Sequence, residues 1–141
     1  MSDKASNDMA ERMAVDCLGA GCASLSLAAR ASEFANHRFT IIDPATHKAD
    51  DHIWGFWAMP WLHSASDGAR KKWFKWRIIS SDRMIERSSK DYPYSAIHRY
   101  EWLEKCRKKA LAAGVSFRPK PAPKQALQIL DSRPPSMKDG V

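Results

Sequence analysis

The sequence predicts an α/β fold built on a Rossmann-like βαβ unit, truncated and carrying an inserted β-hairpin. Three stretches predict it. A short apolar run, "MAVDCL", passes at once into a Gly19-x-Gly21 turn. Alanine-rich, helix-forming sequence follows in "CASLSLAARASEF". A second apolar run, "RFTIID", ends on the carboxylate of Asp43, 24 residues after Gly19.

The bounds agree with this reading. A chain of 141 residues holds about one domain, which excludes a complete two-domain enzyme. At 44% hydrophobic with six tryptophans it can bury a core. The opening "MSDKASNDMAE" has no apolar periodicity, and "DSRPPSMKDGV" closes on prolines and glycine. Residues 1–11 and 132–141 are therefore expected to be disordered ends around a partial domain at 12–131. No apolar run approaches the ~20 residues of a spanning helix, and the N-terminus lacks the basic-then-apolar pattern of a secretion signal. The expected location is cytoplasmic.

The glycine turn carries the chemistry. Gly19 permits a tight turn, Gly21 lets the backbone approach a pyrophosphate, and the N–H groups opening the following helix face its charge. The third position of G-x-G-x-x-G is Ser24, small enough for helix and strand to approach. Asp43 is placed to accept hydrogen bonds from ribose hydroxyls. Read as a bare corner between buried elements, the same residues would need no ligand.

Further along, "WGFWAMPW" is either a core-edge plug or a ligand wall. "WFKWRIIS", the turn "SSDR" and "MIERS" read as a hairpin, with Trp73, Phe74, Trp76 and Ile78 directed to a core and Lys75 and Arg77 to water. A helix from Arg99 to Ala113 turns Trp102, Leu103, Cys106 and Ala110 inward, exposes Lys105, Arg107, Lys108 and Lys109, and stops at Gly114. "SFRPKPAPKQ" then links two short strands, the second within "LQILDSRPP".

The formal charge of +7 and the segment "ARKKWFKWR" raise a second reading, a small basic binding module for nucleic acid or an acidic partner. If the rings of that hairpin point to a core, few remain for bases to stack on, and no specific nucleic-acid binding is expected. Such a face would equally suit anionic lipid headgroups. Cys17, Cys22 and Cys106 have no C-x-x-C spacing, and His37, His47, His52, His63 and His98 stand singly, so no metal site is expected. Cys17 reads as a small buried hydrophobe.

"GAGCASLSLAAR" with "TIID" and then "DDHIWGFW" resembles the N-terminal part of the bacterial lycopene β-cyclase family of FAD-dependent flavoproteins. The resemblance continues through the hairpin, through Tyr92, Tyr94, Ile97, Trp102 and Leu103, and to the Asp-x-Arg-Pro turn of "LQILDSRPP". It implies a Rossmann-like FAD/NAD(P)-binding βαβ domain, FAD as cofactor with NADPH as a reductant, lycopene as substrate, and redox-neutral ring closure in carotenoid biosynthesis. It assigns the cofactor to Gly19, Ala20, Gly21, Cys22, Ser24, Asp43 and Trp54, matches Asp51, Trp54, Phe56 and Trp57 to the family's acidic and aromatic stretch, and makes the tryptophans of "WGFWAMPW" a wall near the flavin or polyene. The basic face adds an expected peripheral contact with the inner membrane. The sequence departs from the family where "SFRPKPAPKQ" replaces a longer excursion of sheet, and it stops at Val141, before the substrate domain and the acidic cyclisation motif. No residue is therefore assigned as catalytic. Alone, the chain is expected to be incomplete and not to cyclise lycopene, with a separate chain as the source of the missing half.

Overall fold

The computed structural model describes residues 12–44, 52–122 and 128–133. The elements run β1 (Met13–Leu18), α1 (Cys22–Ala28), β2 (His37–Ile42), β3 (Ile53–Trp57), α2 (His63–Asp67), β4 (Lys71–Trp73), β5 (Lys75–Ile79), β6 (Met84–Ser88), β7 (Tyr94–His98), α3 (Arg99–Ala112), β8 (Ser116–Arg118) and β9 (Gln128–Asp131). They fall into two compact units, Met1–Lys48 with Leu103–Val141, and Ala49–Trp102.

The first unit is the expected Rossmann-like α/β fold. Its sheet has the order β8-β2-β1-β9, every pairing parallel. Alternation along β1 and β2 sends Val15, Cys17, Phe39 and Ile41 to one face. Ala28 of α1, Ala110 of α3 and Val115 complete that core. Alanines at the helix contacts let backbone and sheet approach closely, which a larger side chain would prevent. Burial pushes the Cys17 and Cys106 thiols up, so both behave as apolar filler and not as nucleophiles.

The helix after the glycine turn is shorter than the sequence suggests. From Arg30 onward i→i−3 bonds take over, Arg30 N–H to the Leu27 carbonyl and Phe34 N–H to that of Ala31. The tightened turn brings Phe34 edge-on to Phe39, ring centroids 5.7 Å apart. The end of α3 follows expectation. The Gly114 N–H (φ +81°) donates to the Leu111 carbonyl and the Val115 N–H to that of Ala110, a Schellman cap. Along α3, Cys106 and Ala110 are buried and Arg107, Lys108 and Lys109 exposed, while Lys105 is half-buried where exposure was expected.

The second unit has an antiparallel sheet, β3-β7-β4, and the separate hairpin β5-β6. The turn "SSDR" and the pairing of Ile78 with Ile85 match the expected hairpin. Its first strand, however, does not run through from Trp73. β4 belongs to the three-stranded sheet, and Phe74 is where the chain changes sheets, its carbonyl accepting the Ser89 N–H.

The expected inward pointing of the hairpin aromatics fails. Trp73 is 42% exposed and Phe74 52%, and Ile78, Ile79, Met84 and Ile85 are exposed as well. A two-stranded ribbon has no second layer of its own, so alternation alone cannot bury either face. Trp76 alone is half-buried, packing edge-on against Trp57 at 4.5 Å. The expected wet cations are present, since Lys75 and Arg77 both reach Glu86 and hold its carboxyl below the usual range.

Across β3-β7-β4 the register aligns Trp57, Tyr94 and Trp73 in one row. Tyr94 leans onto Gly55, where an added Cβ would lie 2.5 Å from the ring carbon bearing the hydroxyl. Replacing Gly55 by Ala should therefore displace Tyr94 from Trp57, shift tryptophan emission and cost about 1–3 kcal/mol in urea unfolding. On the other face of β7, Ser95 is fully buried with no partner for its hydroxyl among the described residues. Ser95→Ala should leave the unfolding midpoint unchanged or raise it, because an unpaired buried hydroxyl gives nothing back for its lost hydration.

Candidate functional site

The first unit's strand order fixes where a ligand would sit. β1, β2 and β8 step outward in one direction, and β9 lies on the opposite side of β1. The order therefore reverses between β1 and β9, and in open parallel sheets the ligand crevice lies beyond the carboxyl ends of the strands at such a point. Two short segments meet there, Gly19-Ala20-Gly21 after β1 and Asp131-Ser132-Arg133 at the end of β9.

Gly19 has φ +89°, a conformation that L side chains adopt only under strain. The turn is then fastened from both neighbouring strands. From β2, the Ile42 carbonyl accepts the Gly19 N–H at 2.8 Å, and the Asp43 carboxylate accepts the Ala20 N–H at 2.6 Å. From β9, the Ser132 N–H donates to the Leu18 carbonyl at 3.1 Å. The Ser132 hydroxyl is 2.9 Å from the Leu18 carbonyl and 3.3 Å from that of Gly19. Carbonyls only accept, so Ser132 donates there and the Ser24 hydroxyl, 2.7 Å away, is the donor to Ser132.

The sequence-predicted residues separate under this geometry. Gly19, Ala20, Gly21 and Asp43 come together at the turn. Ser24 is buried and engaged with Ser132, so it acts on the turn from beneath. Cys22 is the first residue of α1, exposed, with its thiol 3.9 Å from the Ser26 hydroxyl. Gly21 is the N-cap, with no side-chain cap, and a Cβ placed on it meets nothing within 4 Å. Trp54 belongs to the second unit, where its indole N–H donates to His52 Nε2 at 2.9 Å and the Arg99 guanidinium lies 5.8 Å from its ring. Asp51, His47 and the terminal stretches 1–11 and 134–141 lie outside the described residues.

Ser132 and Arg133, the first residues of the tail expected to be disordered, both make hydrogen bonds, Ser132 to the carbonyls of the turn and Arg133 to Asp131. Arg133 forks onto Asp131, with Nε 2.8 Å from Oδ1 and Nη2 2.5 Å from Oδ2. Its backbone N–H adds a third bond to Oδ1 at 3.0 Å. These bonds lower the Asp131 pKa to about 2 and raise that of Arg133. The sequence signal was available in an apolar strand closing on Asp-Ser-Arg, but nothing local shows which turn such a strand end will reach.

No family model matches the sequence, and no curated protein matches it. By fold the chain is similar to several solved structures. A tetrameric form of 2-methyl-3-hydroxypyridine-5-carboxylic acid oxygenase superposes over 76% of this chain and 31% of its own, with a TM-score of 0.57 at 14% identity. CtdE, in complex with FAD and a substrate, does so over 76% and 30%, TM-score 0.55, at 16% identity. The peptidyl tryptophan dihydroxylase QhpG covers 89% of this chain and 34% of its own, TM-score 0.52, at 14% identity. The chain thus has a Rossmann-like α/β fold and spans about a third of the length of these proteins. No described helix is long and apolar enough to cross a membrane.

Two outcomes follow for the turn. Ser132→Ala should destabilise the first unit by about 1–2 kcal/mol, since Ser24 and the Leu18 carbonyl lose a shared partner. Asp131 titrates below the ordinary ~3.9, so the fork contributes fully above about pH 4 and is lost as pH falls toward 2. Carboxyl NMR should find its midpoint near 2 in the native chain and higher in Arg133→Met, which keeps only the backbone N–H bond to Asp131. A midpoint near 4 in both would mean that the fork does not form in solution.

Proposed function

We propose that this chain is the dinucleotide-binding portion of an FAD-dependent flavoprotein, with the Gly19 turn as its diphosphate cradle. One observation carries the reading: at the β1/β9 switch point the positive-φ glycine turn leads to Gly21, where an added Cβ would meet no atom of the described residues within 4 Å. On this reading the diphosphate occupies that space. Gly21 and Cys22 would present N–H groups to the phosphate charge, and Ala20, tied to Asp43, would fix their direction. Asp43, closing β2 beside the turn, would also take the ribose hydroxyls. Ser24 contributes by holding the turn to β9, and Trp54 is assigned to the flavin by family resemblance alone. FAD when bound supplies an electron-rich or electron-poor ring, according to its redox state, at which charge in a substrate can be stabilised.

The finer reading is the lycopene cyclase family, and it rests on the quoted motifs, now joined by the contact of the Asp-x-Arg turn with the glycine turn. Lycopene, NADPH and a complementary chain are proposals of that resemblance, and contact with the inner membrane is a proposal of the basic face. The solved oxygenases point to FAD without choosing among substrates. Glu86 is a poor candidate for the proton donor of ring closure, because Lys75 and Arg77 hold it ionised. No described residue is assigned to that step.

The test is titration with FAD and with ADP. The native chain should bind both, and flavin fluorescence should change on binding. Gly21→Val should keep its unfolding midpoint, since the side chain enters open space, and lose binding because it fills the phosphate position. Asp43→Ala should bind about 1–3 kcal/mol more weakly. Equal affinity of native chain and Gly21→Val for FAD would sink the assignment.

A further inference from the structure

The end of β9 holds a side chain that no part of the reading above uses. Arg133 follows the strand on the far side of the switch point from Asp43. A Cβ built on Gly19 would lie 3.1 Å from Arg133 Cγ and 3.3 Å from Ser132 Oγ, so the arginine stem lies against the glycine turn itself. Its position is set from behind by the Ser132 bonds to Leu18, Gly19 and Ser24.

The guanidinium is also aimed. Two of its nitrogens, Nε and Nη2, are engaged by Asp131, which fixes the plane of the fork. Nη1 makes no hydrogen bond among the described residues, and the side chain is 59% exposed. A guanidinium so held has lost part of its rotamer freedom before any ligand arrives, and the N–H groups left over point away from the carboxylate. Phosphate oxygens are the acceptors such a group takes best. Solvent exposure alone would not require the stem to pack on the glycine turn.

We infer that Arg133 is a phosphate-binding residue of the switch-point crevice, directed by Asp131, and that it makes the site selective for a diphosphate-linked nucleotide over the bare nucleoside. The inference rests on the dinucleotide reading of the Gly19 turn. On that reading the ligand meets backbone N–H groups from the β1 side and a charged arm from the β9 side. Asp131 is the positioning residue: it touches Arg133 and not the ligand.

The experiment compares ADP, AMP and adenosine on the native chain, Arg133→Met and Arg133→Lys, by calorimetry for the nucleotides and NMR shifts for adenosine. Methionine keeps the stem packed on Gly19 and removes the charge, and the unfolding midpoint confirms that the turn persists. Arg133→Met should bind ADP about ten- to a hundredfold more weakly, AMP less so, and adenosine as the native chain does. Arg133→Lys should recover part of the ADP affinity. Equal ADP affinity for native chain and Arg133→Met would overturn the inference and leave the cradle reading standing. An equal loss for adenosine and ADP would overturn it too, showing Arg133 to be a structural support. A native chain that binds none of the three would instead remove the reading beneath it.

Discussion

The hydrogen-bonded turn at the end of β1 is the constraint on which the first unit depends. β1 is a central strand, so the chain leaving it must turn sharply while parallel neighbours crowd both sides. Gly19 makes the turn with φ +89°, and the remaining backbone groups find partners in the ends of β2 and β9. Three strands distant in sequence are thereby locked in register at one point. Each of the two side chains that do this, Asp43 and Ser132, is also where its own strand stops. Strand length, turn geometry and crevice position are consequences of one arrangement.

The second unit shows what happens without such a constraint. Its three-stranded sheet is fastened by a row of rings and by Tyr94 lying on Gly55. Among the described residues, the hairpin after Phe74 is held chiefly by its own ladder and by the contact between Trp76 and Trp57. Aliphatic residues near its turn stay exposed on both faces, and its charges close on themselves through Glu86. Neither feature identifies a partner, since exposed isoleucines and a paired carboxylate suit several surfaces equally.

Much of the first unit was legible because it is written locally. Alternation gave β1 and β2, and Gly19-x-Gly21 with Asp43 marked the turn and its acid. Gly114 marked the cap of α3. What was not legible is nonlocal. The bond from Asp43 to Ala20 is invisible in a motif that assigns the acid to a ribose. Ser132 and Arg133 sit in a polar, proline-flanked stretch that reads as a loose end, and only the parallel pairing of β9 with β1 brings them to the turn. The tryptophan hairpin misled for the opposite reason. Its alternation is genuine, but periodicity specifies that two faces differ and not that one of them has something to pack against.

The charges around the crevice then fall into order. A diphosphate is repelled by carboxylates, and two of them, Asp43 and Asp131, close the strands that flank the glycine turn. Each is engaged by a donor of the site itself. The Ala20 N–H takes up one oxygen of Asp43, and Arg133 binds Asp131 through three bonds. An ion pair this exposed adds little to stability, because water screens it and both partners would be well solvated apart. Its worth lies in direction. With Asp131 neutralised and the guanidinium plane fixed, the β9 side of the crevice offers net donors where an unpaired carboxylate would have offered only repulsion. The same polar residues thus shape the turn and quench their own charge.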